Sequence, residues 1–413
     1  MTFLYNAALS FYQCAISILA PIHPKAKQWS EGRRDIFTRL TAALKGDVKP
    51  VAWFHCASLG EFEQGRPVIE KFSERYPSHT ILITFFSPSG YEVRKNYKGA
   101  DHIFYLPIDT TKNVKRFLDI VKPEVAVFVK YEFWKNYLQE LHRRDIKTYV
   151  VSAIFRPSQL FFKPYGKSYA KILKNITHLF VQNAQSKDLL HSIGIDNTTV
   201  CGDTRFDRVY SIATSAAPIP LFEKFANKSE VFISGSSWEK DDEITLKLIE
   251  KFTDLKFVIA PHELGEVKIK LLYESISKMG RKVIRYTQIT DQDQASKCDV
   301  IIIDTMGILS KVYRNATYAY IGGGFGIGIH NTLEAATFGL PMIFGPNYTR
   351  FMEAVTLKDM GVATPITSSD DAIKWLNDLR ADKAKYNKLN DICKKFIASN
   401  VGACDQIIDH PLI

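Results

Sequence analysis

The sequence predicts an α/β protein of two doubly wound domains. From Val51 onward, short apolar runs rich in β-formers alternate with amphipathic stretches, the pattern of parallel strands joined by helices. The alternation breaks at Thr214–Pro220 and then restarts. The 413 residues, 46% hydrophobic and 24% charged, also exceed what a single core usually holds.

In the first half, strands are expected at Val51–Cys56, Ile81–Phe86, His102–Leu106, Val125–Val129, Thr148–Ser152 and His178–Val181. The second half offers Val231–Ser234, Phe257–Ala260, Lys282–Arg285, Val300–Ile303, Ala316–Ile321 and Met342–Phe344. Domains are therefore expected at 25–213 and 214–413, with residues 1–24 as a separate segment. Two such halves imply a cleft, and ligands of doubly wound sheets bind beyond the carboxyl ends of the strands. The informative residues should lie just after strands.

Residues 1–22 are almost long enough to cross a bilayer, but Asn6, Ser10, Gln13 and Ser17 interrupt the apolar run at helical spacing. That spacing favours a helix lying in a membrane surface over a clean span, with Lys25, Lys27, Arg33 and Arg34 left among headgroups. A core helix packed on the first domain is the alternative. The charge balance of 54 Lys plus Arg against 44 Asp plus Glu gives +10, which suits an anionic partner. It is spread along the chain, without a polybasic arm. Six scattered cysteines form no CxxC pair, so neither a disulfide framework nor a zinc site is indicated, and packing as small apolar groups is expected.

Two segments carry candidate chemistry. His55-Cys-Ala-Ser-Leu-Gly-Glu61 follows a strand and opens a helix near Phe62. Ser58 and Glu61 fit a capping box, while Glu61 could equally take a proton from an attacking hydroxyl; Gly60 belongs to the same turn. The second segment, Ile321-Gly-Gly-Gly-Phe-Gly-Ile-Gly-Ile-His-Asn331-Thr-Leu-Glu334, reads as strand, glycine turn and helix. Its backbone N–H groups could approach a phosphate, Asn331 could cap the helix and Glu334 could accept from ribose hydroxyls. It matches neither a dinucleotide fingerprint nor a Walker sequence. Weaker candidates are the loops containing Gly235 and Ser236, Pro261 and His262, and Asp304 to Ile308. Asp291 and Asp293 are expected to be solvated loop carboxylates.

In order, these segments resemble the 3-deoxy-D-manno-octulosonic acid (Kdo) transferases of lipopolysaccharide synthesis. Phe86-Ser-Pro-Ser-Gly90, Val129-Lys-Tyr-Glu-Phe-Trp134, Gly202-Asp-Thr-Arg-Phe-Asp207 and Phe344-Gly-Pro346 add to the match; Lys130 stands where that family often has Glu, and Ile308 replaces a usual Glu. The resemblance implies a GT-B fold, two Rossmann-like domains with a deep interdomain cleft. It also implies transfer of Kdo from CMP-Kdo to a lipid A precursor at the cytosolic face of the inner membrane, without metal, cofactor or nucleic-acid partner. Glu61 would be the general base, and Glu132 and Arg205 would stabilise transition-state charge. Pro261, His262, Met306, Gly307, Ile308, Asn331, Thr332, Leu333 and Glu334 would line the CMP-sugar site, with Ser58, Gly60, Gly235 and Ser236 as further candidates. Other readings compatible with the same architecture are another GT-B transferase, a sugar-nucleotide epimerase, and a non-catalytic nucleotide-binding scaffold at a membrane.

Overall fold

The protein is described by a computed structural model covering residues 2–215 and 217–411. Strands β1 (Val51–Cys56), β2 (Thr80–Phe85), β3 (His102–Tyr105), β4 (Pro123–Val129), β5 (Lys147–Ala153), β6 (His178–Val181) and β7 (Thr198–Val200) form one sheet in the order β3-β2-β1-β4-β5-β6-β7. Every pairing is parallel. Strands β8 (Val231–Ser237), β9 (Lys256–Pro261), β10 (Val283–Arg285), β11 (Val300–Ile302), β12 (Tyr318–Ile321), β13 (Met342–Phe344) and β14 (Ala363–Pro365) form a second, ordered β10-β11-β9-β8-β12-β13-β14, again all parallel.

The central strands β1, β2 and β4 are buried along nearly their whole length because helices cover both faces of a parallel sheet. In β1 the alternation of side chains sends Trp53 to one core, with Leu82, Phe128 and Val150. Ala52, Phe54 and Cys56 go to the other, with Phe62, Val68 and Ile69 of the helix Leu59–Arg75. His55 has the parity of Trp53, so its ring enters the layer of Thr84 and Phe128. In the second sheet β11 is inserted between β9 and β10. The strand order reverses between β1 and β4 in the first sheet and between β8 and β12 in the second. Chain crossings leave in opposite directions there and open a crevice at the strand ends.

The chain divides into two compact units, Met1–Arg208 with Val401–Ile413, and Val209–Asn400. The expected boundary at Thr214–Pro220 thus falls slightly late, inside or beyond the helix Thr204–Ser215, and the expected second domain does not run to the C-terminus. The helix Ala403–Ile408 returns to the first unit, where Cys404, Ile407 and Ile408 join the core beneath the helix Leu59–Arg75. Lys71 pairs with Asp405, and Gly402 N–H donates to Asp207 at 2.8 Å.

Among the described residues, no helix is long and apolar enough to cross a membrane. The helix Thr2–Leu19 leaves Phe3, Leu4, Phe11 and Ile18 exposed. Of its polar residues, Asn6 turns inward to Thr111 and Asn136 at 3.0 and 2.8 Å; Ser10, Gln13 and Ser17 stay exposed. Arg33 departs from expectation. Its guanidinium lies 4.0 Å from the Trp29 ring and 4.7 Å from that of Tyr105, and it donates to the carbonyls of Phe86 and Leu106 at 2.8 and 2.9 Å. Burial lowers its pKa to about 9, so Arg33 fastens the chain to strand ends instead of facing headgroups. All six cysteines are free; four are buried, Cys14 is exposed and Cys298 half-exposed.

Candidate active site

The first unit places Glu61 and Glu132 beyond the ends of β1 and β4, the neighbouring strands at which the order reverses. The helix after β1 begins at Leu59, not near Phe62, with Ser58 as its N-cap residue. The cap is not made by the side chain. The Ser58 hydroxyl donates instead to the Glu61 carboxylate, so the capping box does not form and Glu61, half-exposed, keeps a polar neighbour. Gly60 beside it is exposed.

Glu132 is held more firmly. The indole N–H of Trp134 donates to its Oε2 at 2.7 Å, and His55 Nε2 lies 3.1 Å from the same oxygen. His55 is fully buried, with Nδ1 at 2.9 Å from the Thr84 hydroxyl oxygen and 3.1 Å from the Thr84 carbonyl. The Trp53 indole N–H donates to that hydroxyl oxygen at 2.8 Å. Trp134 also packs on Phe86, with ring centroids 4.8 Å apart.

Arg205, at the start of the helix Thr204–Ser215, donates through Nε and one Nη to Asp203 Oδ2 at 2.9 and 2.7 Å. Its planar fork is oriented by that carboxylate. Tyr131 lies in the same neighbourhood. Burial raises its phenol pKa, and the charges of Arg156, Glu61 and Arg205 all reach it.

In the second unit the candidate residues gather at the ends of β8, β9, β11 and β12. Gly235 closes on Tyr313, and Gly322 so nearly touches the chain after β8 that an added Cβ would meet the Ser236 carbonyl at 2.3 Å. Only glycine lets β12 leave the sheet there. Gly323 continues with φ +91°, its N–H donating to Asp241 at 2.7 Å. Asn331 accepts from Leu333 N–H at 3.0 Å and donates to Glu334 at 3.1 Å, but the N-cap residue of the short helix Leu333–Thr337 is Thr332, so Asn331 stands one residue ahead of the cap expected of it. Thr332 is fully buried, and Met306 stands exposed beside Gly307 and Ile308. Asp304 accepts from the Thr287 hydroxyl and N–H at 2.6 and 2.9 Å. Asp291 caps the helix Gln292–Ser296, and Asp293 pairs with Lys224 at 3.0 Å.

Sequence reading undervalued three aromatic rings here. His262 stacks between Trp238 and His330 at 4.8 and 4.3 Å, and the Trp238 indole donates to His330 Nε2 at 3.0 Å. Burial, with His262 adding to it, lowers the His330 pKa to about 4, so at neutral pH this nitrogen is an acceptor. Trp238, His330, Arg350, Phe351 and the glycine turn line a cavity of about 420 Å³.

The sequence model of the 3-deoxy-D-manno-octulosonic-acid transferase (kdotransferase) family matches residues 33–208, the stretch that holds Glu61, Glu132 and Arg205. The chain is also 26% identical over 352 residues to the 3-deoxy-D-manno-octulosonic acid transferase of Chlamydophila psittaci, covering 82% of this chain and 79% of that protein. Over residues 33–208, and at 23–28% identity along most of its length, the chain is similar to the Kdo transferases. A bifunctional glycosyltransferase/methyltransferase of Fusobacterium nucleatum is 25% identical over 372 residues, and the match spans 86% of this chain but 57% of that longer protein. In fold, the chain resembles the UDP-GlcNAc 2-epimerase of Neisseria meningitidis, with a TM-score of 0.60 at 17% identity over 88% of this chain and 99% of the other. Two Rossmann-like units of the GT-B type are thus the architecture of the chain.

Proposed function

We propose that the chain transfers Kdo from CMP-Kdo to a lipid A precursor by a single displacement that inverts the anomeric centre. An acceptor hydroxyl oxygen bonds to the anomeric carbon, the bond from that carbon to the phosphate oxygen breaks, and CMP leaves with the electron pair. The hydroxyl proton passes to Glu61. Glu132 and Arg205 supply charge to the transition state, a carboxylate toward a developing oxocarbenium ion and a guanidinium toward a phosphate. Pro261, His262, Met306 to Ile308 and Asn331 to Glu334 are assigned to the nucleotide sugar.

The observation that carries this reading is the pair of carboxylates at the ends of β1 and β4, at the point where the strand order of the first sheet reverses, inside the stretch matched by the family model. The helix Thr2–Leu19 supports a lipid acceptor at the cytosolic membrane surface, since it is fastened inward through Tyr5 and Asn6 while its phenylalanines face out. Incubation with CMP-Kdo and a lipid A precursor in detergent tests the proposal. CMP should be released and the lipid should gain the mass of Kdo, with Glu61→Ala slower by about 10²–10⁴. No CMP release by the wild type, or full activity in Glu61→Ala, refutes it.

A further inference from the structure

The buried polar chain behind Glu132 admits few arrangements of protons. Trp53 and Trp134 can only donate through their indole nitrogens, and an ionised carboxylate can only accept. Trp53 donates to the Thr84 hydroxyl oxygen, which frees the hydroxyl proton to point at His55 Nδ1, 2.9 Å away. With Nδ1 accepting, the imidazole proton resides on Nε2 and donates to Glu132 Oε2 at 3.1 Å. Trp134 donates to that same oxygen at 2.7 Å, and its 3.2 Å approach to His55 Nε2 is the spacing of two donors converging on one acceptor. Every group in the chain is then satisfied. The opposite tautomer, with Nδ1–H donating to the Thr84 carbonyl at 3.1 Å, would aim the Nε2 lone pair at a carboxylate inside a dry layer, where mismatched polar atoms are costly.

Resting on the role proposed above for Glu132, we infer that His55 is a positioning residue for the Glu132 carboxylate and that the Thr84 hydroxyl selects the ring nitrogen that does so. Neither His55 nor Thr84 has surface exposed, so neither touches substrate. They act by fixing where one carboxylate oxygen sits at the end of β4, together with the Trp134 indole.

The test separates proton position from rate. In protein labelled with ¹⁵N-histidine, the His55 signal, identified by its loss in His55→Gln, should show an Nε2–H imidazole in the wild type and in Thr84→Ser. It should switch to Nδ1–H in Thr84→Val. Over the same series, kcat for Kdo transfer should fall about 10²-fold in Thr84→Val and in His55→Leu, the scale expected when a catalytic group is displaced by about an ångström. KM for CMP-Kdo should not change. His55→Gln, whose amide N–H can stand in for Nε2–H, should stay within a few fold of wild type, and this comparison with His55→Leu decides the matter if Thr84→Val does not fold. A wild-type His55 with the proton on Nδ1 or on both nitrogens overturns the inference, as does an unchanged kcat in a Thr84→Val protein whose tautomer has switched. A wild type that transfers no Kdo overturns the functional reading and the kinetic half of this inference, while the spectra still decide the proton position.

Discussion

The Tyr5 hydroxyl donates to Asp109 Oδ2 at 2.7 Å, tying the N-terminal helix to a carboxylate buried in the first unit. The same carboxylate accepts from the N–H groups of Asn136 and Tyr137 at 3.1 and 2.9 Å, at the N-terminus of the helix Lys135–Arg143, where the helix dipole favours a negative charge. Burial outweighs these donors and pushes the Asp109 pKa up to about 7.

Asp109 therefore holds a proton in the folded chain over a range where the unfolded chain has lost it. Between about pH 4 and pH 7 the native state binds more protons, so the contribution of Asp109 to stability falls as pH rises through that window. The slope is at most about 1.4 kcal/mol per pH unit. Urea unfolding of wild type and Asp109→Asn at pH 5 and pH 7 should show this component in the wild type only. Tyr5→Phe should cost about 1–2 kcal/mol and expose the helix Thr2–Leu19 to protease.

Ser58 separates capping from chemistry. A serine that caps through its side chain is worth about 1 kcal/mol, but the Ser58 hydroxyl serves Glu61 instead. Ser58→Ala should leave unfolding within about 0.5 kcal/mol of wild type. It should still slow Kdo transfer, about tenfold, because the proposed base loses the donor that orients it.

Asp241 is the anchor of the glycine turn. Fully buried, it accepts from Trp238 N–H, Gly323 N–H and the Tyr320 hydroxyl at 2.9, 2.7 and 2.7 Å. Asp241→Ala would strand two buried donors, Gly323 N–H and the Tyr320 hydroxyl, each costing about 1–3 kcal/mol, and a part-buried one, Trp238 N–H. Asp241→Asn, which keeps one accepting oxygen, should be milder. Calorimetric titration with CMP should show weaker binding in Asp241→Asn at temperatures where the variant remains folded.

The outward face of the N-terminal helix makes a distinct prediction. Phe11 and Ile18 are 76% and 71% exposed, so charged residues there should cost the fold less than about 0.5 kcal/mol. A Phe11→Glu, Ile18→Glu double variant should lose sedimentation with anionic phospholipid vesicles if that face lies on the membrane. Unchanged sedimentation would remove this helix from the membrane reading.

The strands long enough to bury an apolar run were legible because such a run, bounded by turn residues, fits the middle of a sheet covered on both faces. Strands β7 and β14 were not legible: three residues each, Thr198–Val200 and Ala363–Pro365, they lie at sheet edges and carry little apolar signal. Glu61 was singled out because post-strand loops are where doubly wound sheets keep their chemistry, whereas Glu132 was reached only through the resemblance of Val129–Trp134 to a family segment. The relation of His55 to Thr84 and Glu132 was hidden, since it depends on strand register and tautomer, neither of which the order of residues displays. Trp238, His262 and His330 come from three different loops, so no local pattern joins them. Ser58 misled in the opposite way, because the S-x-x-E pattern names two partners without saying which atom donates.

The helix Ala403–Ile408 gives the polypeptide an out-and-back course, which makes the second unit an insertion within the first. A gene cut once, near residue 208, would strip Cys404, Ile407 and Ile408 from the core they complete and leave a greasy wound on the upstream fragment. Exchanging the downstream half between relatives should therefore succeed only as a cassette with two junctions, the last of them before Val401, so that the final turns travel with the beginning of the chain.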